Sequence, residues 1–154
     1  MSAPVSGTPA RSITRDAARA WIARASAAGL CEAQVALAEM MVNGRGGRRD
    51  PAAALELFEK AAAHGHSGAM FALGALHSGG HDLPEDRTTA QRWFRAAAEL
   101  GHGQAQLMLA RYLAGGVAGE QNPAEARRWL EQAAAQGIEE AHDDLAALPM
   151  PTVQ

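Results

Sequence analysis

Cysteine, lysine and tyrosine each occur once in this 154-residue chain, and no long apolar run occurs at all. With Cys31 alone, no intrachain disulfide can form, so a disulfide-stapled secreted scaffold is excluded and a reducing, cytoplasmic setting fits. No stretch approaches the roughly 18 apolar residues of a spanning helix, so no membrane partner is expected. The opening MSAPVSGTPARS lacks the basic and apolar regions of a signal peptide, and residues 1–12 read as a disordered tail. Charge is nearly balanced, with 14 Lys+Arg against 17 Asp+Glu and a net charge of −3. That leaves no basic footprint for nucleic acid. Aromatic residues make up 5% of the chain while 47% is hydrophobic, so any core must be built largely from small side chains. Alanine, the best helix former, supplies many of them. Thirteen arginines beside the lone Lys60 point to a GC-rich bacterial genome.

What the chain does contain is a period. AAAHGHSGA (61–69) returns as AAAELGHGQA (96–105) and AAAQGIEEA (133–141), with a fainter SAAGLCEA at 26–33. Gly29, Gly65, Gly101 and Gly137 are spaced by 36 residues without insertion or deletion. Shifting the chain by that period also superimposes Leu37, Leu73, Leu109 and Leu145, and the column Trp21, Leu57, Trp93 and Trp129. Such self-similarity marks a repeat array.

Each period reads as two helices. Helix A places Ala33, Leu37, Met40 and Met41 on one stripe, repeated as Ala105, Leu109, Tyr112 and Leu113. A glycine-rich loop follows. Helix B starts at Asp50-Pro51 and Asn122-Pro123, a capping residue before a proline at the first helical position. Asp86 and Thr14 are the corresponding caps. Helix B presents Ala54, Leu57, Phe58, Ala61 and Ala62, then Ala90, Trp93, Phe94, Ala97 and Ala98. The triple alanine closes helix B where the next helix must come near, and the glycine sits just past its end, where a left-handed backbone suits it. The spacing predicts a lone helix B, three full repeats and a closing helix A over 13–148, with a C-terminal tail at 149–154 stopped by proline. The fold class is all-α: an α/α solenoid wound as a right-handed superhelix.

The segment AMFALGALHSGGHDLPEDRTTAQRWFRAAAELGHG, residues 69–103, resembles the Sel1-like repeat, a relative of the tetratricopeptide repeat. The likeness runs in register through about 14–148; Leu57 departs from the usual aromatic residue and Asn122 from the usual aspartate. The resemblance implies a solenoid whose A helices line a concave groove, and a role as an adaptor. Its disulfide-bonded secreted branch carries two cysteines per repeat and does not match.

Chemistry finds little foothold. His66 and His102 share one column at the inter-repeat turn, and His77 replaces a core residue. His64 and His81 belong to different segments, so no metal ligand set and no cofactor is expected. Cys31 has no histidine or acid recurring beside it and reads as a small packing residue. The glycine-rich loops lack the lysine and strand context of a phosphate loop. Glu139–Glu140 and Asp143–Asp144 read as the solubilising face of an array end. The tryptophan column reads as core.

The surface that remains is the A-helix side: Val35, Glu39 and Val42, then Phe71 and Ser78, then Gln104, Leu107 and Arg111, then Asp143. Val35, Phe71 and Leu107 form an apolar strip that either meets a partner or packs between neighbouring A helices. The expectation is a non-enzymatic scaffold holding a protein or peptide in this groove. An immunity or regulatory protein that inhibits a secreted effector or enzyme is the alternative, and a metal-binding or hydrolytic protein a distant third. A lone helix B at one end and a lone helix A at the other leave the chain a monomer or a weak head-to-tail self-associator.

Overall fold

The computed structural model describes residues 15–149 apart from Ala28. The tail at 1–12, the Thr14 cap and the C-terminal tail beyond Pro149 lie outside the described residues. Among the described residues, eight α-helices and no strand are present: α1 (Arg15–Ala27), α2 (Cys31–Asn43), α3 (Pro51–Ala63), α4 (Ser67–His77), α5 (Arg87–Glu99), α6 (Gly103–Gly115), α7 (Pro123–Ala135) and α8 (Glu139–Ala147). Even-numbered helices are the A helices and odd-numbered ones the B helices. None of the helices is long and apolar enough to cross a membrane.

The chain divides into two compact units, residues 1–60 and 61–154. In the first, α1 packs on α2. Arg19 of α1 donates to the carbonyl oxygens of Arg45 (3.4 Å) and Arg48 (3.3 Å) and so pins the loop after α2. In the second, α4 packs on α5, α5 on α6, α6 on α7 and α7 on α8. Its core holds Phe94, Leu107, Leu109, Leu113 and Leu130, with Ala90, Ala97, Ala105, Ala110, Ala126 and Ala133 fully buried among them. Small side chains are what let helices this short approach closely enough to exclude water. Gly74 carries this furthest: a Cβ there would lie 2.5 Å from the Phe94 ring.

Two local devices make every repeat alike. Within a repeat, the backbone N–H of Asp50, Asp86 and Asn122 donates to Met41, His77 and Leu113 respectively, each at 2.8 Å. The same residues cap the B helix that follows: Asp50 accepts from Ala53 (3.0 Å), Asp86 from Thr89 (3.1 Å) and Asn122 from Glu125 (3.1 Å). Loops of quite different sequence therefore end in one geometry.

Between repeats, the chain turns on glycine. Gly29, Gly65, Gly101 and Gly137 have φ of 86°, 85°, 89° and 88°. Nothing lies within 4 Å of a Cβ built on any of them. The glycine is required by the left-handed backbone and not by crowding. At the third junction Gly101 and His102 donate their N–H groups to Ala98 (3.0 Å) and Ala97 (3.1 Å), closing the preceding helix. His102 Nδ1 then accepts from Ala105 N–H (3.1 Å) and opens the next one, as His66 does for Ala69 (3.0 Å). One residue ends a helix with its backbone and begins another with its ring.

The tryptophan column departs from expectation at one end. Trp93 and Trp129 are half-buried, but Trp21 is 71% exposed, because no described helix covers that face of α1. Trp129 is held by its own helix, donating its indole N–H to Glu125 (2.9 Å), which also receives Arg95 of α5.

The junction makes a pH prediction. A cap built on Nδ1 needs a neutral ring. Burial, opposed by a backbone hydrogen bond and aided by the nearby His66, holds His102 below its ordinary value of 6.5. The unfolded chain therefore binds the extra proton first as pH falls. Stability from this site is complete above about pH 6.5 and is lost as pH drops through the folded value. Thermal melts between about pH 7.5 and 5.5 should show this fall. His102→Asn, which keeps a cap but cannot titrate, should flatten it; an undiminished slope would show that the ring does not act this way.

Candidate interaction groove

A depression lies on the A-helix side of the second unit. Ala110, Arg111 and Ala114 of α6 form one wall. Asp144 and Ala147 of α8, with Leu148, form the other, and Leu130 of α7 is the floor. The volume is about 220 Å³. Binding pockets for small molecules run from roughly 300 to 1,000 Å³, so this is room for one apolar side chain and not for a cofactor.

The rim is an ion pair. Arg111 Nε donates to Asp144 Oδ2 at 2.6 Å and its NH2 group to Oδ1 at 3.3 Å, a two-pronged contact across the groove mouth. The bond to Asp144 raises Arg111 further above its ordinary range, against some desolvation and with help from Glu140. The Arg111 and Asp144 side chains are 44% and 27% exposed, so water screens the pair and its net contribution is about 1 kcal/mol or less.

The anticipated site residues separate in the structure. On α2, in the first unit, Val35 and Val42 are half-buried and Glu39 is exposed; the Val42 carbonyl accepts from Arg49 (2.9 Å). In the second unit, Phe71 lies 4.9 Å from the His102 ring, stacked at 18°, and 5.7 Å from Phe94. Leu107 is 1% exposed and belongs to the core. Phe71 thus packs on α5 and on the junction residue His102, and Leu107 lies within the buried core cluster. Ser78 ends α4, donating to Ala75 (2.7 Å), and bonds Tyr112, whose hydroxyl is pushed up chiefly by burial. Gln104 is exposed on α6. Of the anticipated residues, only Arg111 lines the groove.

Asp143 is exposed on α8 and outside the lining, while its neighbour Asp144 turns in. A shift of 36 residues pairs Leu107 with Asp143, but the pair that touches between α6 and α8 sits one turn out of step. Arg111 and Asp144 are 33 residues apart, one repeat less about one turn. That offset was the signal available for Asp144. The Gln106 network was also unforeseen. Gln106, 2% exposed, donates to Ala98 (3.2 Å) and Gln132 (3.4 Å) and accepts from Gln136 (2.9 Å), tying α6 to both flanking B helices. Its partners come from other helices, and a single column could not disclose them. Among the described residues, no group of three or more His, Cys, Asp or Glu is placed to hold a metal ion.

Comparison with known proteins gives a consistent picture. A family profile described as Sel1 repeat matches residues 31–66, 67–102 and 103–138. These bounds run from the start of one A helix to the residue that opens the next. The fold is similar to that of a solved protective antigen present in uropathogenic Escherichia coli strains, which displays an SLR fold. That match has a TM-score of 0.81 and 29% identity over 87% of this chain. The chain spans only 29% of the antigen's length. A Sel1 repeat protein from Oxalobacter formigenes matches with a TM-score of 0.74 and 31% identity over 82% of this chain and 96% of its own. No curated protein matches significantly.

Core and rim residues should separate in unfolding experiments. Leu107→Ala removes a buried side chain and should cost about 2–5 kcal/mol in urea unfolding. Arg111→Ala should cost about 1 kcal/mol or less. Equal costs would contradict the assignment of one to the core and the other to the surface.

Proposed function

Because the chain belongs to the Sel1 repeat family, whose members are generally protein–protein interaction scaffolds, we propose that it is a non-enzymatic adaptor. It holds a peptide or protein segment by an apolar anchor seated between α6 and α8. The groove itself carries this reading: an apolar floor sized for one side chain, rimmed by both signs of charge. Buried anchors dominate recognition of this kind, and rim charges tune register and rate. The Arg111–Asp144 pair suits the second task. It is weak enough for a partner's carboxylate or ammonium group to displace one half of it. The groove is too small and its polar groups too few for a reaction to be assembled within it.

The test is occupancy of the groove. A native partner is isolated by pull-down and identified, and its affinity is then measured with purified components. Ala114→Trp, which fills the groove from α6, should weaken binding by about 30-fold or more, the effect of losing a central anchor. Its far-UV circular dichroism should remain that of the parent. Unchanged affinity in a folded Ala114→Trp protein would place recognition elsewhere.

A further inference from the structure

We propose that the loop between α2 and α3 is a docking surface for an acidic protein segment, with Arg45 and Arg48 receiving its carboxylates. The surface belongs to the first unit and does not depend on the groove of the second. The loop, residues 44–50, reads GRGGRRD, with arginine at 45, 48 and 49. Its one acid, Asp50, is taken up in capping α3. The equivalent loops of the second unit, at 78–86 and 116–122, contain no arginine or lysine and carry Asp82, Glu85, Asp86 and Glu120 instead. Charge follows the same division. Residues 1–60 hold eight Lys and Arg against six Asp and Glu, and residues 61–154 hold six against eleven.

Folding accounts for one of the loop arginines and not for the other two. Arg49 Nε donates to the Val42 carbonyl at 2.9 Å, and two repeats later the uncharged Gln121 makes the same brace to Ala114 at 3.1 Å. Arg45 stands in the place of Val117 and Arg48 in the place of Glu120. Glu120 is engaged through its side chain, which accepts from Gln91 of α5 at 3.4 Å. In the first unit the residue in Gln91's place is Arg19, and it reaches the loop through the backbone, at the carbonyl oxygens of Arg45 and Arg48. The two arginine side chains are left uncommitted. Both residues are exposed, and neither side chain has a hydrogen bond or ion pair to any described residue. Residues 1–14 contain no Asp or Glu that could neutralise them.

The loop is held in shape without a partner. One Arg19 nitrogen spans both carbonyls, which keeps Arg45 and Arg48 side by side, and it fills the space over Gly47, where a Cβ would collide with it. The Arg45 N–H returns to Met40 and the Asp50 N–H to Met41, each at 2.8 Å. Guanidinium forks match carboxylates in two-pronged pairs, and a fixed frame lowers the ordering cost of binding. A short acidic stretch suits two such forks. A long polyanion such as nucleic acid is opposed by the chain's net charge of −3.

Fluorescence anisotropy with the full chain and a labelled hexapeptide of alternating Asp and Glu reads this directly. The peptide should bind, and should bind less tightly as salt is added. Arg45→Gln combined with Arg48→Gln should weaken binding about tenfold or more, the effect of losing two carboxylate pairs, with unchanged circular dichroism. Arg45→Lys combined with Arg48→Lys keeps the charge but not the forks, and its affinity should fall between those of parent and Gln variant. Arg92→Gln combined with Arg128→Gln removes as much charge from exposed positions of the second unit and should leave affinity unchanged. Equal losses in the two Gln variants would reduce the effect to net charge and overturn the proposal. So would a peptide that does not bind, or tighter binding of an oligothymidylate of equal charge.

Discussion

A backbone angle that only glycine holds without strain sets the geometry of this protein. Gly29, Gly65, Gly101 and Gly137 share a φ within 85–89°, each following a B helix and preceding an A helix. Because the turn is the same each time, each A helix leaves the B helix before it through the same local backbone geometry. Residues 36 apart then occupy equivalent places on their helices. The closing bonds at Asp50, Asp86 and Asn122 repeat the regularity on the other side of each A helix. Loop composition is free between these points, and NGRGGRRD, SGGHDLPED and AGGVAGEQN differ accordingly.

Small residues turn that regularity into stability. Alanines at helix crossings bury little area each, yet they bring helices close enough for Phe94, Leu109 and Leu130 to lose all contact with water. The buried Gln106 is satisfied across helices by Ala98, Gln132 and Gln136. Arg95 of α5 and Glu125 of α7 link successive B helices, and Arg111 of α6 and Asp144 of α8 link successive A helices. Both links are polar clamps on an apolar stack, and the second frames the groove.

Much of this was legible in the residues alone. Helix order, the caps at Asp50, Asp86 and Asn122, and the junction glycines all follow from spacing and from turn chemistry that depends on near neighbours. Side chains that act between helices were harder to read. Leu107 lies in the column that ends in Asp143, and the two differ: Leu107 is buried in the core, Asp143 exposed on α8. Asp144 reads from sequence as part of a solubilising array end, whereas it pairs with Arg111 of α6, a contact 33 residues apart that a 36-residue column does not register. Trp21 shares a column with Trp129 but not its surroundings, since burial depends on what comes next to a helix. A column tells which residues are equivalent; it does not tell which are covered.

The claim that the 36-residue period is the physical unit of this fold can be tested by excision. Removing residues 103–138 joins His102 to Glu139, so that the histidine caps α8 as it had capped α6. The shortened protein should keep the helicity per residue of the parent and unfold in a single cooperative transition. Removing only residues 103–136 leaves the junction two residues out of phase and should abolish that cooperativity. If both deletions fold equally well, the period does not govern the structure, and the account built on it fails.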